Sequence, residues 1–78
     1  MENNDILRSL EKLIRQPAGS LNGPETLKSL DGWDSLAMIE FISMMDEEYG
    51  VDLEAEQVRT CKTVQDLMEL AESRMANR

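Results

Sequence analysis

Apolar residues recur at helical spacing in three stretches of this chain, and they alternate nowhere long enough for a strand. Ile6, Leu7, Leu10, Leu13 and Ile14 predict a first amphipathic helix over Asp5–Gln16. Asp5 suits its first turn and Arg15 its last, where each complements the helix dipole. Pro17 and Gly19 are expected to stop it. A long glycine-containing loop follows as far as Asp34, with Leu21, Leu27 and Leu30 as its expected tethers to the core.

Phe41, Met45, Met38, Tyr49 and Ile42 fall on one stripe of a second helix, predicted over Ser35–Tyr49 and closed by Gly50. Leu36, Ile39 and Met44 lie outside that stripe and suggest a binding face. The stretch Val51–Glu56 alternates, but it is short, acidic and without a partner strand. Glu54–Arg59 therefore reads as a short helix or turn. Thr63-Val64-Gln65-Asp66 has the pattern of a helix start. Val64, Leu67, Met68, Ala71 and Met75 then give the apolar face of a last helix, expected to fray over Ser73–Arg78. The fold predicted is all-α, a small four-helix bundle of three main helices and one short one, forming a single domain over residues 1–78.

Composition narrows the chemistry. Seventy-eight residues build a modest core with little room for a deep catalytic cleft. The chain has no histidine, so the commonest general base and metal ligand are absent. Its one cysteine, Cys61, forms no internal disulfide and reads as a small buried hydrophobe. No signal-peptide pattern opens the sequence and no apolar run reaches membrane-spanning length, so a cytoplasmic monomer without membrane insertion is expected. The acids of Asp46–Glu56 lack the spacing of a calcium loop, and Asp31 with Asp34 lacks a cleft-forming framework. Arg8, Lys12, Arg15 and Lys28 read as a solvated face or as partners for the acidic helix.

Charge is unevenly placed. The net charge is −8, yet Ser29–Val58 holds nine acids and no base, while the rest of the chain nets +1. Such a field repels nucleic acid and steers encounters with basic surfaces. A plain solvated face would show the same composition.

Asp31-Gly32-Trp33-Asp34-Ser35-Leu36 places one hydroxyl where the loop becomes the second helix. Serine there commonly caps the helix. The same position suits a covalently attached phosphodiester, because a helix N-terminus favours an anion. Ser35 has no base of its own to activate it, so any reaction at its oxygen needs a second protein. Trp33 is expected to pack the loop onto the second helix, with a partner contact as the alternative.

Asp34-Ser35-Leu36 at this junction, with Glu40, the acids Asp46, Glu47 and Glu48, the Tyr49-Gly50-Val51-Asp52-Leu53 exit and Thr63-Val64-Gln65-Asp66-Leu67, resembles the acyl carrier protein family over nearly the whole chain. The resemblance implies a carrier, not an enzyme. A phosphopantetheinyl transferase would attach 4′-phosphopantetheine from coenzyme A to Ser35, and acyl groups would ride on its thiol as thioesters. Asp34 and Leu36 would enter the transferase's recognition. Glu40, Asp46 and Glu47 would meet basic patches on acyl-activating, condensing or acyl-transferring enzymes, and Ile39 would supply an apolar contact. Ser43 stands where many members have an apolar residue, and Gly32-Trp33 departs from the lead-in common in fatty-acid carriers. The cargo therefore stays open among fatty acyl, polyketide and aminoacyl or peptidyl groups. An unmodified acidic adaptor, with Ser35 only as a cap, is the reading from a different class.

Overall fold

The computed structural model describes residues 2–76 and the side chains of residues 5–75. Among these, four α-helices run in the order α1 (Glu2–Leu13), α2 (Ser35–Tyr49), α3 (Ala55–Thr60) and α4 (Val64–Ala76). A 3-10 turn, Leu27–Ser29, interrupts the first loop. No named strand occurs among the described residues; a single antiparallel bridge joins Thr26 to Thr63.

The helices form where apolar spacing put them, and their buried faces meet in one core. Ile6, Leu10 and Ile14 come from the first segment, Ala37, Phe41 and Met45 from α2, Val58 from α3, and Val64, Leu67, Met68 and Ala71 from α4. Val51 and Leu53 are buried on either side of exposed Asp52, so the alternation there seats an extended connection without a strand. Met44, expected outside the stripe, is half-buried. It lies two turns after buried Ala37 on the same side of α2, which makes the buried arc wider than the aromatic and methionine positions suggested.

Helix ends differ from expectation at α1. The helix begins at Glu2, before Asp5, and stops at Leu13, before Pro17 is reached. Arg15 lies outside it in the left-handed region, with φ 62°. Its N–H donates to Lys12 O at 3.1 Å and that of Gln16 to Glu11 O at 2.7 Å, the paired bonds of a Schellman ending with arginine in the usual glycine place. Alpha2 begins and ends where predicted, and Gly50 closes it at φ 67°. Alpha3 starts one residue later than expected, and Ser73–Met75 belong to α4; the rest of the fraying segment includes Asn77 and Arg78, outside the described residues. Thr63 and Asp66 form the expected box: Asp66 N donates to Thr63 Oγ1 at 3.1 Å and Thr63 N to Asp66 Oδ2 at 3.2 Å.

The long loop is held at more points than its leucines. Leu21 and Leu27 are buried and Leu30 is half-buried, as predicted. In addition, Glu11 on α1 is 1% exposed and reaches into the loop. It accepts the N–H of Leu21 at 2.9 Å and that of Gly19 at 3.0 and 3.1 Å, and pairs with Arg8 at 2.8 Å. At the other end, Leu27 N donates to Lys62 O at 2.8 Å and Val64 N to Glu25 O at 2.9 Å. The loop is thereby stitched to α1 and to the α3–α4 connection, which fixes the segment that leads to Ser35.

Candidate functional site

Ser35 is the first residue of α2, and Asp34 is its N-cap. The Asp34 carboxylate accepts the backbone N–H of Ala37 at 2.9 Å. The cap is therefore the aspartate. The hydroxyl of Ser35 is exposed and makes no hydrogen bond to any described residue.

Three contacts hold this turn. Gly32 adopts φ 91°, and a Cβ there would lie 2.8 Å from Ile14 O, so the loop backbone passes directly against the end of α1. Gln16 Nε2 donates to Asp31 O at 3.5 Å. The Trp33 ring meets Phe41 edge to face, with centroids 6.3 Å apart and planes at 70°. Trp33 thus packs the loop onto α2, as expected.

The remaining site residues line up along α2. Leu36, Ile39, Glu40, Ser43 and Glu47 share one face through the three- and four-residue steps Leu36–Ile39, Leu36–Glu40, Ile39–Ser43 and Ser43–Glu47, and Asp46 borders them. Leu36 and Ile39 are 64% and 54% exposed, unusual for large apolar side chains. Glu40, Asp46 and Glu47 are exposed and have no ion-pair partner among the described residues. Of the two readings of Arg8, a solvated face or a partner for the acidic helix, the second is corrected: Arg8 is exposed, and its guanidinium is engaged by Glu11 on its own helix. Ser35 stands one turn before Ile39, at the margin of this mixed apolar and acidic face.

A cleft of about 890 Å³ opens on the other side of Ser35, between the start of α2, the 3-10 turn and the end of α3. Leu27, Met38, Val58 and Cys61 give it an apolar lining, and Lys28, Arg59 and Lys62 bring three cations. Lys28 lies far in the sequence from Arg59 and Lys62, and the Thr26–Thr63 bridge brings their segments together. No sequence pattern marks that meeting. Cys61 is half-buried; burial, and then the negative charge of Asp66, push its thiol up and keep it protonated. It behaves as packing, in line with the sequence reading.

No group of three or more potential metal ligands converges among the described residues. No helix among them is long and apolar enough to cross a membrane.

This arrangement has counterparts. The family model described as "Phosphopantetheine attachment site" matches residues 4–71. "Acyl carrier protein 4, chloroplastic" of Cuphea lanceolata is 34% identical over 71 residues, covering 90% of this chain and 50% of that protein. The "Acyl carrier protein" of Saccharopolyspora erythraea is 28% identical over 74 residues, covering 90% of this chain and 78% of that one. The chain thus spans about half the length of the chloroplastic relative and most of the bacterial one. The solution NMR structure of holo acyl carrier protein from Geobacter metallireducens superposes with a TM-score of 0.78 at 22% identity, covering 99% of this chain and 90% of that chain, and shares its fold.

Proposed function

From a chain that belongs to the phosphopantetheine-attachment family of acyl carrier proteins, we propose a carrier that is loaded at Ser35 and read by other enzymes along α2. Covalently attached 4′-phosphopantetheine is the cofactor of this family. When bound, it supplies a flexible arm ending in a thiol, on which acyl groups are held as thioesters. The observation that carries the assignment to Ser35 is the division of labour at the helix start. Asp34 caps α2 at 2.9 Å, and the adjacent Ser35 hydroxyl is exposed and unengaged by the described residues.

The residues present fit such a group. A phosphodiester on Ser35 Oγ stands at the N-terminus of a 15-residue helix, where the dipole favours an anion. In the loading step the serine O–H bond and one P–O bond of the coenzyme A pyrophosphate break, and an Oγ–P bond forms. The adenosine 3′,5′-bisphosphate leaves, and the serine proton passes to a base on the transferase, since this chain has no histidine.

Asp34 and Leu36 flank the reacting oxygen and are assigned to transferase recognition. Glu40, Asp46 and Glu47, with Ile39 among them, are assigned to acyl-activating, condensing or acyl-transferring enzymes that present basic patches. Unpaired acids raise encounter rates without a large dry interface, which suits a carrier that must leave each partner quickly. The reaction chemistry belongs to those partners; the carrier itself is not an enzyme in this reading. The adaptor reading loses its main support, because it needs Ser35 as the cap and Asp34 fills that place.

Intact mass tests the proposal. Incubation with coenzyme A, magnesium and a broad-specificity phosphopantetheinyl transferase is expected to add one phosphopantetheine unit, and Ser35→Ala to abolish the gain. No gain with several transferases, with helicity intact by circular dichroism, would overturn it.

A further inference from the structure

The cleft beside Ser35 is chemically two-sided. Ser35 and Asp34 line it from the start of α2; Lys28 comes from the 3-10 turn, Arg59 from α3 and Lys62 from the α3–α4 connection. Hydrogen bonding of Leu27 N to Lys62 O at 2.8 Å draws the segments of Lys28 and Lys62 together, and Arg59 lies three residues before Lys62, at the end of α3. All three are exposed, and none has an ion pair among the described residues. Asp66 feels the charge of Lys62, but its carboxylate is turned to the backbone N–H groups of Lys62 and Thr63, at 3.1 and 3.2 Å. In a chain of net charge −8, three unpaired bases on one wall of one cleft are a local inversion of sign. Between the two walls the lining is apolar, with Leu27, Met38 and Val58. The volume of about 890 Å³ lies in the roughly 300–1,000 Å³ range of small-molecule sites.

We infer that this cleft selects a short acyl cargo ending in a carboxylate, its methylenes over Leu27, Met38 and Val58 and its far end at Lys28, Arg59 and Lys62. The inference rests on the carrier reading and specifies its cargo. A purely hydrocarbon chain would leave the cationic wall unused. Asp34, on the wall where the arm starts, repels a second anion and directs it across the cleft.

Six-carbon probes with and without a terminal acid test this. The protein is loaded by the transferase from coenzyme A, hexanoyl-coenzyme A and adipyl-coenzyme A, each product verified by intact mass. The adipyl form is expected to melt about 4 °C or more above the hexanoyl form. Backbone amide signals of Lys28, Arg59 and Lys62 should move in the adipyl form and not in the hexanoyl form. The triple variant K28S/R59S/K62S should remove the increment. Equal midpoints and unmoved amides in the two wild-type acyl forms would overturn the inference while leaving loading at Ser35 intact. So would a stabilisation of the arm-only form that the triple variant abolishes, which would give the three bases to the phosphodiester. Failure to load at all would instead overturn the carrier reading, and this inference with it.

Discussion

Asp34 accepts the N–H of Ala37 at 2.9 Å and so caps the helix that its neighbour Ser35 begins. One side chain holds the end of α2, and the next is left for chemistry. The two roles of Asp34, cap and recognition element, can be separated. Asp34→Ala should cost about 0.5–2 kcal/mol by urea unfolding. Asp34→Asn keeps an oxygen for Ala37 N and should cost little. If the charge is read by the transferase, the Asn variant will load slowly at unchanged stability. Loading at the wild-type rate would leave Asp34 with only its structural role.

Gly32 offers a second test of how firmly Ser35 is placed. Its φ of 91° and the 2.8 Å approach of a Cβ to Ile14 O both forbid a side chain. The obstacle is backbone, which cannot swing aside. Gly32→Ala should destabilise by about 1–3 kcal/mol, the cost of one strained residue. The loop must lift from the end of α1, so the Trp33 fluorescence should change along with the unfolding midpoint.

Glu11 is the buried clasp of the long loop, and its removal should be felt well away from Ser35. Glu11→Ala deletes the acceptor for Leu21 N and Gly19 N and leaves the first of these donors buried. A loss of about 1.5–3 kcal/mol is expected, the value of hydrogen bonds to a charged group. Hydrogen exchange at Leu21 should accelerate more than at α4 amides. Uniform acceleration across the chain would mean that the clasp is not local.

The same residue sets a pH dependence. Burial pushes the Glu11 carboxyl up, but the N–H groups of Leu21 and Gly19, together with Arg8, outweigh it and hold the group below its ordinary value of 4.5. Glu25 behaves alike: burial raises it, and the N–H groups of its own turn bring it below 4.5. A carboxyl depressed in the folded state contributes stability above its unfolded pKa and loses it as pH falls through the folded one. The contribution should therefore be complete at pH 7 and disappear below about pH 4.5. The difference in melting temperature between wild type and Glu11→Gln isolates the clasp: it should shrink as pH is lowered and stay constant above neutrality.

Much of this was legible in the sequence because it depends on local pattern. The bounds of α2 follow from a continuous apolar stripe and from Gly50, and the start of α4 from Thr63 and Asp66 three residues apart. The exposure of Leu36 and Ile39 follows from their angle on the helix. What could not be read depends on contacts across the chain. Glu11 sits among Arg8, Lys12 and Arg15 and looks like one more surface charge until the loop folds back over it. Arg15 takes a left-handed conformation that its residue type disfavours, so α1 ends before the proline that seemed to stop it. Lys28 meets Arg59 and Lys62 through the bridge between Thr26 and Thr63, which no local pattern announces.

The acidic face of α2 gives the last prediction. Glu40, Asp46 and Glu47 are exposed and free of ion pairs among the described residues, so the fold does not depend on them. Reversing Glu40 and Asp46 to lysine should leave the unfolding free energy within about 0.5 kcal/mol for each surface change. Association with a basic partner such as the transferase should slow, because steering by long-range charge acts on the rate of encounter. The slowing should be greatest at low ionic strength and fade as the Debye length falls to about 8 Å near 0.15 M salt. Ile39→Ser should behave differently: it removes an apolar contact, so it should speed dissociation at every salt concentration. Stopped-flow association across a salt series separates the two. Identical salt dependence for the charge-reversed and native proteins would show that α2 does not steer its partners.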